Sequence, residues 1–348
     1  MRYLGVDLHT NSFTVCCRTE NGKEKLATYR MSELQLFLKT LKDTDKLAVE
    51  ATGNTRFFID RVKPYVDETI AVDPNKFEVI KSSIKKTDKN DARLLSWFLS
   101  KDMLPEARLK DKKQSQISSL VGTRDKLVKL RTTLLNKIHG ILNGHGIKSK
   151  KEAFCSEKAL DGVLAMDFDA IVKVELKVLV EQIRSLTEGI KKLDDQVKQS
   201  GEKMKGHENL TSIKGIGAKS ATVLLSVIGD IRDFADADKL ACYFGIVPRV
   251  SNSNETEHHG WITKRGSKIG RTTLVQCTMI AKRYSPYLNR FYEKLRRRRG
   301  TSKAIIATAR KLLGIIFDTL KNNRVFEDFP NFVLAESYNK KNRIGVDF

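Results

Sequence analysis

An N-terminal α/β domain, a long helical middle and a mostly helical, strongly basic C-terminal domain make up the fold class this sequence predicts. Three observations predict it. Over roughly the first hundred residues short apolar strand signals alternate with amphipathic helix signals, leucine and isoleucine then recur at coiled-coil spacing, and cations dominate towards the C-terminus.

The N-terminal elements follow in a readable order. "RYLGVDLH" is a short apolar strand; "SFTVCCRTE", the Asn21-Gly22 turn and "KEKLATYR" complete a three-stranded antiparallel meander. "SELQLFLKTLK" sets Leu34, Phe37, Leu38 and Leu41 at helical spacing, with Ser32 as its expected cap. "KLAVE" is a strand, "TRFFIDRVKP" a helix, "ETIAV" a strand, and "DARLLSWFLS" lies in a closing helix beyond the Asp73-Pro74 loop. The order is βββαβαβα, that of a ribonuclease H type sheet in which strand one lies beside strand four.

The middle is helical. Leu120, Leu127, Leu134 and Ile141 repeat every seven residues beside Val121, Val128, Leu135 and Leu142, and Leu176, Leu179, Ile183, Leu186, Ile190, Leu193 and Val197 alternate spacings of three and four. Between them "NGHGIKSKKEAFCSEKALDG" reads as a connection, so the two helices either fold back as an antiparallel hairpin or meet partners in an oligomer. From about Gly206 a Gly215-x-Gly217 turn separates two helical patterns, "VSNSNETEHHG" reads as a polar loop, and basic helices run to about residue 322 before a loose tail. The predicted domains are 1–113, 114–205 and 206–330, with 331–348 as the tail.

Composition narrows the partners. The chain has 348 residues and a formal charge of +22, from 64 Lys and Arg against 42 Asp and Glu, so its surface attracts a polyanion, by default nucleic acid. No apolar run reaches the length of a membrane-spanning helix and "MRYLGVDL" lacks a signal-peptide core, which predicts a cytosolic protein. Five cysteines without a CxxC pair argue against a disulfide framework or zinc ribbon, and the six histidines show no metal-ligand spacing, so a metal here is expected on carboxylates.

Four acids answer to that expectation. Asp7 lies in the first strand, Glu50 ends the fourth, and Asp88 and Asp91, three apart in "KKTDKNDARLL", share one face at the start of the closing helix. In the predicted sheet order they converge, and clustered carboxylates are most simply relieved by a divalent cation. Taken alone, the Asp88 and Asp91 pair reads equally well as ordinary helix-start chemistry.

The second constellation is cationic. Between Lys264 and Lys311 stand fifteen Lys or Arg, including Lys264, Arg265, Lys268, Arg271 and the run Arg296, Arg297, Arg298 and Arg299, against the single acid Glu293. A solvated surface would intersperse both signs, so this reads as a nucleic-acid face. "IKGIGAK" fits either a DNA-binding helix-hairpin-helix turn or a plain helix connection, and Ser251 and Ser253, in the polar loop feeding the basic helices, read on their own as turn residues.

Taken together, "GVDLHTNSF", "VEATG", "KTDKNDA", "GIVPR" and "GWITKRGSKIGR" resemble the DEDD-type insertion-sequence transposases, the group that includes the Piv inversion proteins and the bridge-RNA-guided recombinases. The resemblance implies a RuvC-like N-terminal domain, a coiled coil and a C-terminal transposase domain. Carried over by position, it implies Mg²⁺, two ions per site, on Asp7, Glu50, Asp88 and Asp91, and Ser253 as the nucleophile, although Asn254 replaces the usual glycine after it and Ser251 lies two residues away. It further implies donor and target DNA, a structured guide RNA, dimers pairing into tetramers, and a cytoplasmic, nucleoid-associated protein of a prokaryote. A RuvC-like hydrolytic nuclease, such as a junction resolvase, is the alternative.

Overall fold

The computed structural model describes residues 1–74, 76–77, 87–150, 153–154, 156–253 and 256–325, with the side chains of 251–259 left out. The expectations resting on Lys85, Lys86, Cys155, Asn254 and the tail lie outside the described residues. The chain forms two compact units, Met1–Lys110 and Asp111–Phe348.

The first unit is a five-stranded sheet of order β3-β2-β1-β4-β5. β1 (Arg2–Leu8), β2 (Ser12–Thr19) and β3 (Glu24–Arg30) form the antiparallel meander, while β4 (Asp45–Glu50) and β5 (Glu68–Val72) are parallel to β1. Strand one is therefore beside strand four, as the order of elements predicts. One face of the sheet is covered by α1 (Leu34–Leu38) and α2 (Thr55–Val62), where Phe13, Phe37 and Phe58 are buried and meet with ring centroids 5.2 to 6.2 Å apart. Each such aromatic pair adds about 0.5–1.5 kcal/mol beyond its area burial. α3 (Asp88–Ser100) covers the other face, burying Leu95 and Leu99 against Ala48, Ile70 and Val72. Ser32 is not the cap of α1. A 3₁₀ turn, Met31–Glu33, precedes that helix, and the Glu33 carboxylate accepts from the Arg30 amide at 2.7 Å, so the acid supplies the acceptor expected of the serine.

In the second unit α4 (Lys112–Gly144) and α6 (Ala170–Glu202) pair along their length. Contacts Arg124 to Asp194 at 2.9 Å, Arg131 to Thr187 at 3.3 Å and Lys137 to Glu175 at 3.0 Å run in opposite senses along the two helices, so they form an antiparallel hairpin within one chain. The connection is not wholly irregular: α5 (Glu157–Leu164), capped by Ser156, packs Leu160 and Val163 against Leu176, Val180 and Ile183. Its two core residues, Leu160 and Val163, do not stand out from the Gly-, Lys- and Ser-rich stretch that precedes them.

Beyond the hairpin, α7 (His207–Thr211), α8 (Ala218–Ile228), α9 (Ala237–Phe244), α10 (Lys268–Tyr284) and α11 (Pro286–Lys321) enclose one core that includes Leu224, Phe244, Leu274, Leu312 and Ile316. α11 is two helices joined at Gly300, whose φ of 76° and ψ of 167° suit glycine alone. The expected polar loop is instead an antiparallel pair, β6 (Pro248–Ser253) and β7 (Thr256–Ile262). Its Val, Thr, Trp and Ile residues favour strand, and the many polar residues between them obscured that preference. Cys16 and Cys277 are buried free thiols, whereas Cys17 is half-buried and Cys242 exposed.

Candidate metal centre and candidate nucleic-acid interface

Strand register brings the first two acids together. β1 and β4 pair in parallel with Val6 opposite Val49, so Asp7 and Glu50, one residue on in each strand, stand side by side at the C-terminal edge of the sheet. Glu50 is held from its own loop: the Thr55 hydroxyl donates to the Glu50 carbonyl at 2.7 Å and the Ala51 amide to Val72 O at 2.9 Å.

The other two acids arrive on α3, and Gly5 sets how closely. A Cβ at Gly5 would lie 2.2 Å from Ala92 O and 2.3 Å from Ser96 N, so the helix backbone rests directly on the strand. Thr87 caps that helix through its side chain, accepting from the Asn90 amide, and places Asp88 and Asp91 in its first turn. Asp7 and Asp91 are buried, whereas the Asp88 side chain is exposed.

Electrostatics ties the four together. Burial is the largest influence raising the Asp7 carboxyl above its ordinary range; His9 opposes it, and the negative charges of Asp88, Asp91 and Glu50 raise it further. The other three expected carboxylates therefore all act on Asp7. The structure also adds a member that spacing arguments had set aside. His9 Nε2 lies 3.2 Å from Asp7 Oδ2 and 3.5 Å from Asp88 Oδ1, and its carbonyl accepts from Asn54 Nδ2 at 2.9 Å. His9 thus stands among the acids that were expected alone, and the signal was Asp7-x-His9 at the end of a buried strand.

Ligand atoms of Asp7, His9 and Asp88 fall within 4.8 Å of one another. Hard divalent cations bind oxygen at about 2.0–2.6 Å, so opposite ligands of one ion stand about 4–5 Å apart. An oxygen-rich donor set with one imidazole, around a carboxyl whose charge is disfavoured by its neighbours, fits a divalent ion in both spacing and chemistry.

The cationic positions fall in the second unit. Ser253 ends β6, its backbone opposite Thr256, and Ser251 pairs with His258. Lys264, Arg265 and Lys268 are exposed where β7 turns into α10, and Arg296, Arg297, Arg298 and Arg299 are exposed on α11 just before the Gly300 break. Arg296 pairs with Glu293 at 2.8 Å. Arg271 differs from the rest. It is half-buried, and its Nη1 donates to the carbonyls of Phe244, Arg265 and Gly266 at 3.0 to 3.2 Å, so it braces the base of the hairpin as well as adding charge.

The chain's sequence matches two family models in succession: the DEDD transposase model over residues 4–147, and the transposase model of the IS116/IS110/IS902 family over residues 207–293. It is 26% identical to the transposase for insertion sequence element IS1111A of Coxiella burnetii, over 94% of this chain and 91% of that protein. It is also 26% identical to the pilin gene-inverting protein of Moraxella lacunata, over 93% and 97%, and 24% identical to a probable family 20 transposase of Pseudomonas aeruginosa, over 92% and 94%. The first model spans the strand ends and helix start that carry the four acids, the second ends inside the basic helices beyond the serine hairpin, and with both in this order the chain belongs to the IS110/IS116 family of DEDD transposases.

Proposed function

We propose that this chain is the DNA recombinase of an insertion sequence, cutting and rejoining donor and target DNA by phosphoryl transfer. The observation that carries the reading is the grouping of Asp7, Glu50, Asp88 and Asp91 at the sheet edge, the last three each raising the buried Asp7 carboxyl. These acids hold Mg²⁺, with two ions per site as the finer expectation. Bound there, the ions supply positive charge to the phosphoryl group as its bonds change.

The chain's own residues do the rest. Ser253 Oγ attacks the phosphorus, forming a phosphoserine bond while the bond to the 3′-oxygen breaks. The proton lost by the serine is regained at that oxygen, leaving a 3′-hydroxyl whose attack on the same linkage reverses the step during strand exchange. Lys264, Arg265, Lys268 and Arg296 to Arg299 bind backbone phosphates, and Arg271 holds their platform in place. A structured guide RNA, a dimer pairing into a tetramer, and a coiled-coil supertwist of the helical hairpin belong to the same reading, supported by the cationic surplus, the heptad spacing and the family.

The test is covalent capture. With Mg²⁺ and end-labelled DNA, label should remain on the denatured protein and map to the peptide containing Ser253, and Ser253→Ala should lose adduct and cleavage together. Should the role sit at Ser251, the two variants exchange results. Cleavage by Ser253→Ala that leaves no adduct but still needs the four acids would replace this mechanism with hydrolysis.

A further inference from the structure

Most of "GIVPR" and "GWITKRGSKIGR" is accounted for by folding. Gly245 and Gly266 have φ of 67° and 84°, and a Cβ on either would lie 1.9 and 2.1 Å from the carbonyls of Arg265 and Tyr243. Gly270 packs on Phe244 and Val227, Thr263 N donates to Val247 O at 2.9 Å, Lys264 N to Gly245 O at 3.0 Å, and Arg271 ties three carbonyls. Together these contacts lock the base of the β6–β7 hairpin onto α9 and the start of α10.

Trp261 is not accounted for in this way. It is 83% exposed, and among the described residues no ring or cation–π contact involves it. Single exposed apolar residues are ordinary, but this one is placed by a defect in the ladder. Pro248 pairs with Ile262 and Val250 with His259, so Gly260 and Trp261 together face Arg249 alone. Such a bulge re-aims a side chain out of the regular alternation. Around it Arg249, Lys264, Arg265 and Lys268 are exposed, and the chain carries no acid from Gly260 to Tyr292. A large flat indole on a rigid base, among exposed cations, has the chemistry of a stacking platform for an unpaired nucleobase.

We propose that Trp261 stacks on an unpaired base of the DNA strand engaged by the hairpin, holding that strand single and in register. The choice of DNA rests on the reading of Ser253 as the residue joined to DNA, since both sit on this hairpin. The four steps of β6 from Arg249, opposite Trp261, to Ser253 span about 14 Å at ~3.4 Å per residue. At ~3.4 Å per stacked nucleotide the captured base lies about four nucleotides from the reacting phosphate.

The test uses the full chain, without metal and with Ser253→Ala, so that no chemistry intervenes. The sequence has two tryptophans, and Trp97→Phe leaves Trp261 as the sole indole emitter. A single-stranded DNA oligonucleotide should quench its emission, while the same sequence as a blunt duplex should not. In otherwise unaltered protein, Trp261→Ala should weaken single-strand binding about 5- to 150-fold, the range expected for one base-to-aromatic stack. Trp261→Phe should retain most of the affinity, and both should unfold at the unaltered temperature because the removed ring is solvent-exposed. Absent quenching, equal quenching by duplex, quenching by single-stranded RNA alone, or unaltered single-strand affinity of Trp261→Ala would each overturn the proposal. If a quench persists where covalent capture fails, the reaction mechanism falls and the stacking stands; if capture succeeds without a quench, the reverse holds.

Discussion

Gly5→Ala isolates the contact that assembles the acidic site. The added methyl would stand 2.2 Å from Ala92 O, 2.3 Å from Ser96 N and 2.9 Å from the Leu95 Cβ. Two of these three are backbone atoms of α3, so no side chain can rotate away, and relief to an ordinary separation of about 3.4 Å requires the helix to lift by about 1 Å. Overpacking of this kind costs about 1–3 kcal/mol. In a unit of this size that lowers the melting temperature by about 4–20 °C. The lift also carries Asp88 and Asp91 away from Asp7 and Glu50, and a misplacement of about 1 Å is enough to slow a reaction about a hundredfold. Calorimetric unfolding, divalent-ion titration and strand cleavage would be measured on the variant. Gly122→Ala supplies the opposite control, since a Cβ there meets nothing within 4 Å on α4 and should stabilise by about 0.5–1 kcal/mol. A Gly5→Ala protein with unaltered melting and ion affinity would refute the seating of α3 on this glycine.

The Asp7 carboxyl is raised, so the ion-free folded chain holds that proton more tightly than the unfolded chain, and its stability falls as pH rises from about 4 through the raised value. Stabilisation by added Mg²⁺ should grow across the same window, and Asp7→Asn should raise ion-free melting while abolishing the Mg²⁺ shift; a shift of equal size at every pH would count against the site. Arg2→Ala leaves the fully buried Asp45 without the guanidinium that reaches it at 2.8 Å and should cost about 3–5 kcal/mol by urea unfolding, an estimate defeated by a loss under 1 kcal/mol. Burial alone would raise Asp194, but hydrogen bonds from Arg124 and Lys219 outweigh it and hold its carboxyl below the ordinary range. It thereby joins α4, α6 and α8 above the unfolded pKa and releases them as pH falls through the lower folded value; hydrogen exchange in α4 that stays unchanged in Asp194→Asn would sink this linkage.

How much of this was legible in the sequence follows from the length and regularity of each element. The order of strands and helices in the first unit could be read because each strand is a short apolar run bounded by turn residues, and the long helices because their apolar stripes persist over many turns. Convergence of Asp7, Glu50, Asp88 and Asp91 followed from that order, since parallel pairing of β1 with β4 leaves their ends adjacent. Elements set in polar surroundings were missed: α5 follows a Gly-, Lys- and Ser-rich stretch, and β6 and β7 pair through one whose composition is that of a loop. His9 and Arg271 make contacts that the sequence does not display, for a different reason. A histidine's role depends on what faces it across three chain segments, and an arginine that braces three carbonyls is indistinguishable in sequence from one that waits for phosphate.

The pairing of charges explains why a chain with a formal charge of +22 keeps an acidic cluster. Lysine or arginine could have neutralised these acids, as arginine does for others in the same unit: Arg2 binds Asp45, and Arg93, five residues beyond Asp88, reaches Glu24 at 3.2 Å. Among the described residues the ion-pair partner of Asp7 and Asp88 is instead His9, half of whose side chain is exposed at 53%. A guanidinium holds a carboxylate permanently and would compete with any divalent ion, because it cannot lose its charge at physiological pH. An imidazole can leave as a neutral group, or turn its ring nitrogen from the acids to an incoming ion. The site therefore keeps its like charges beside an imidazole rather than a permanent cation, while Lys264, Arg265, Lys268 and Arg296 to Arg299 of the second unit are exposed. Under the proposed function this division of charge is chemically required: the acids must stay open to exchangeable metal, and the fixed cations must stay open to phosphate.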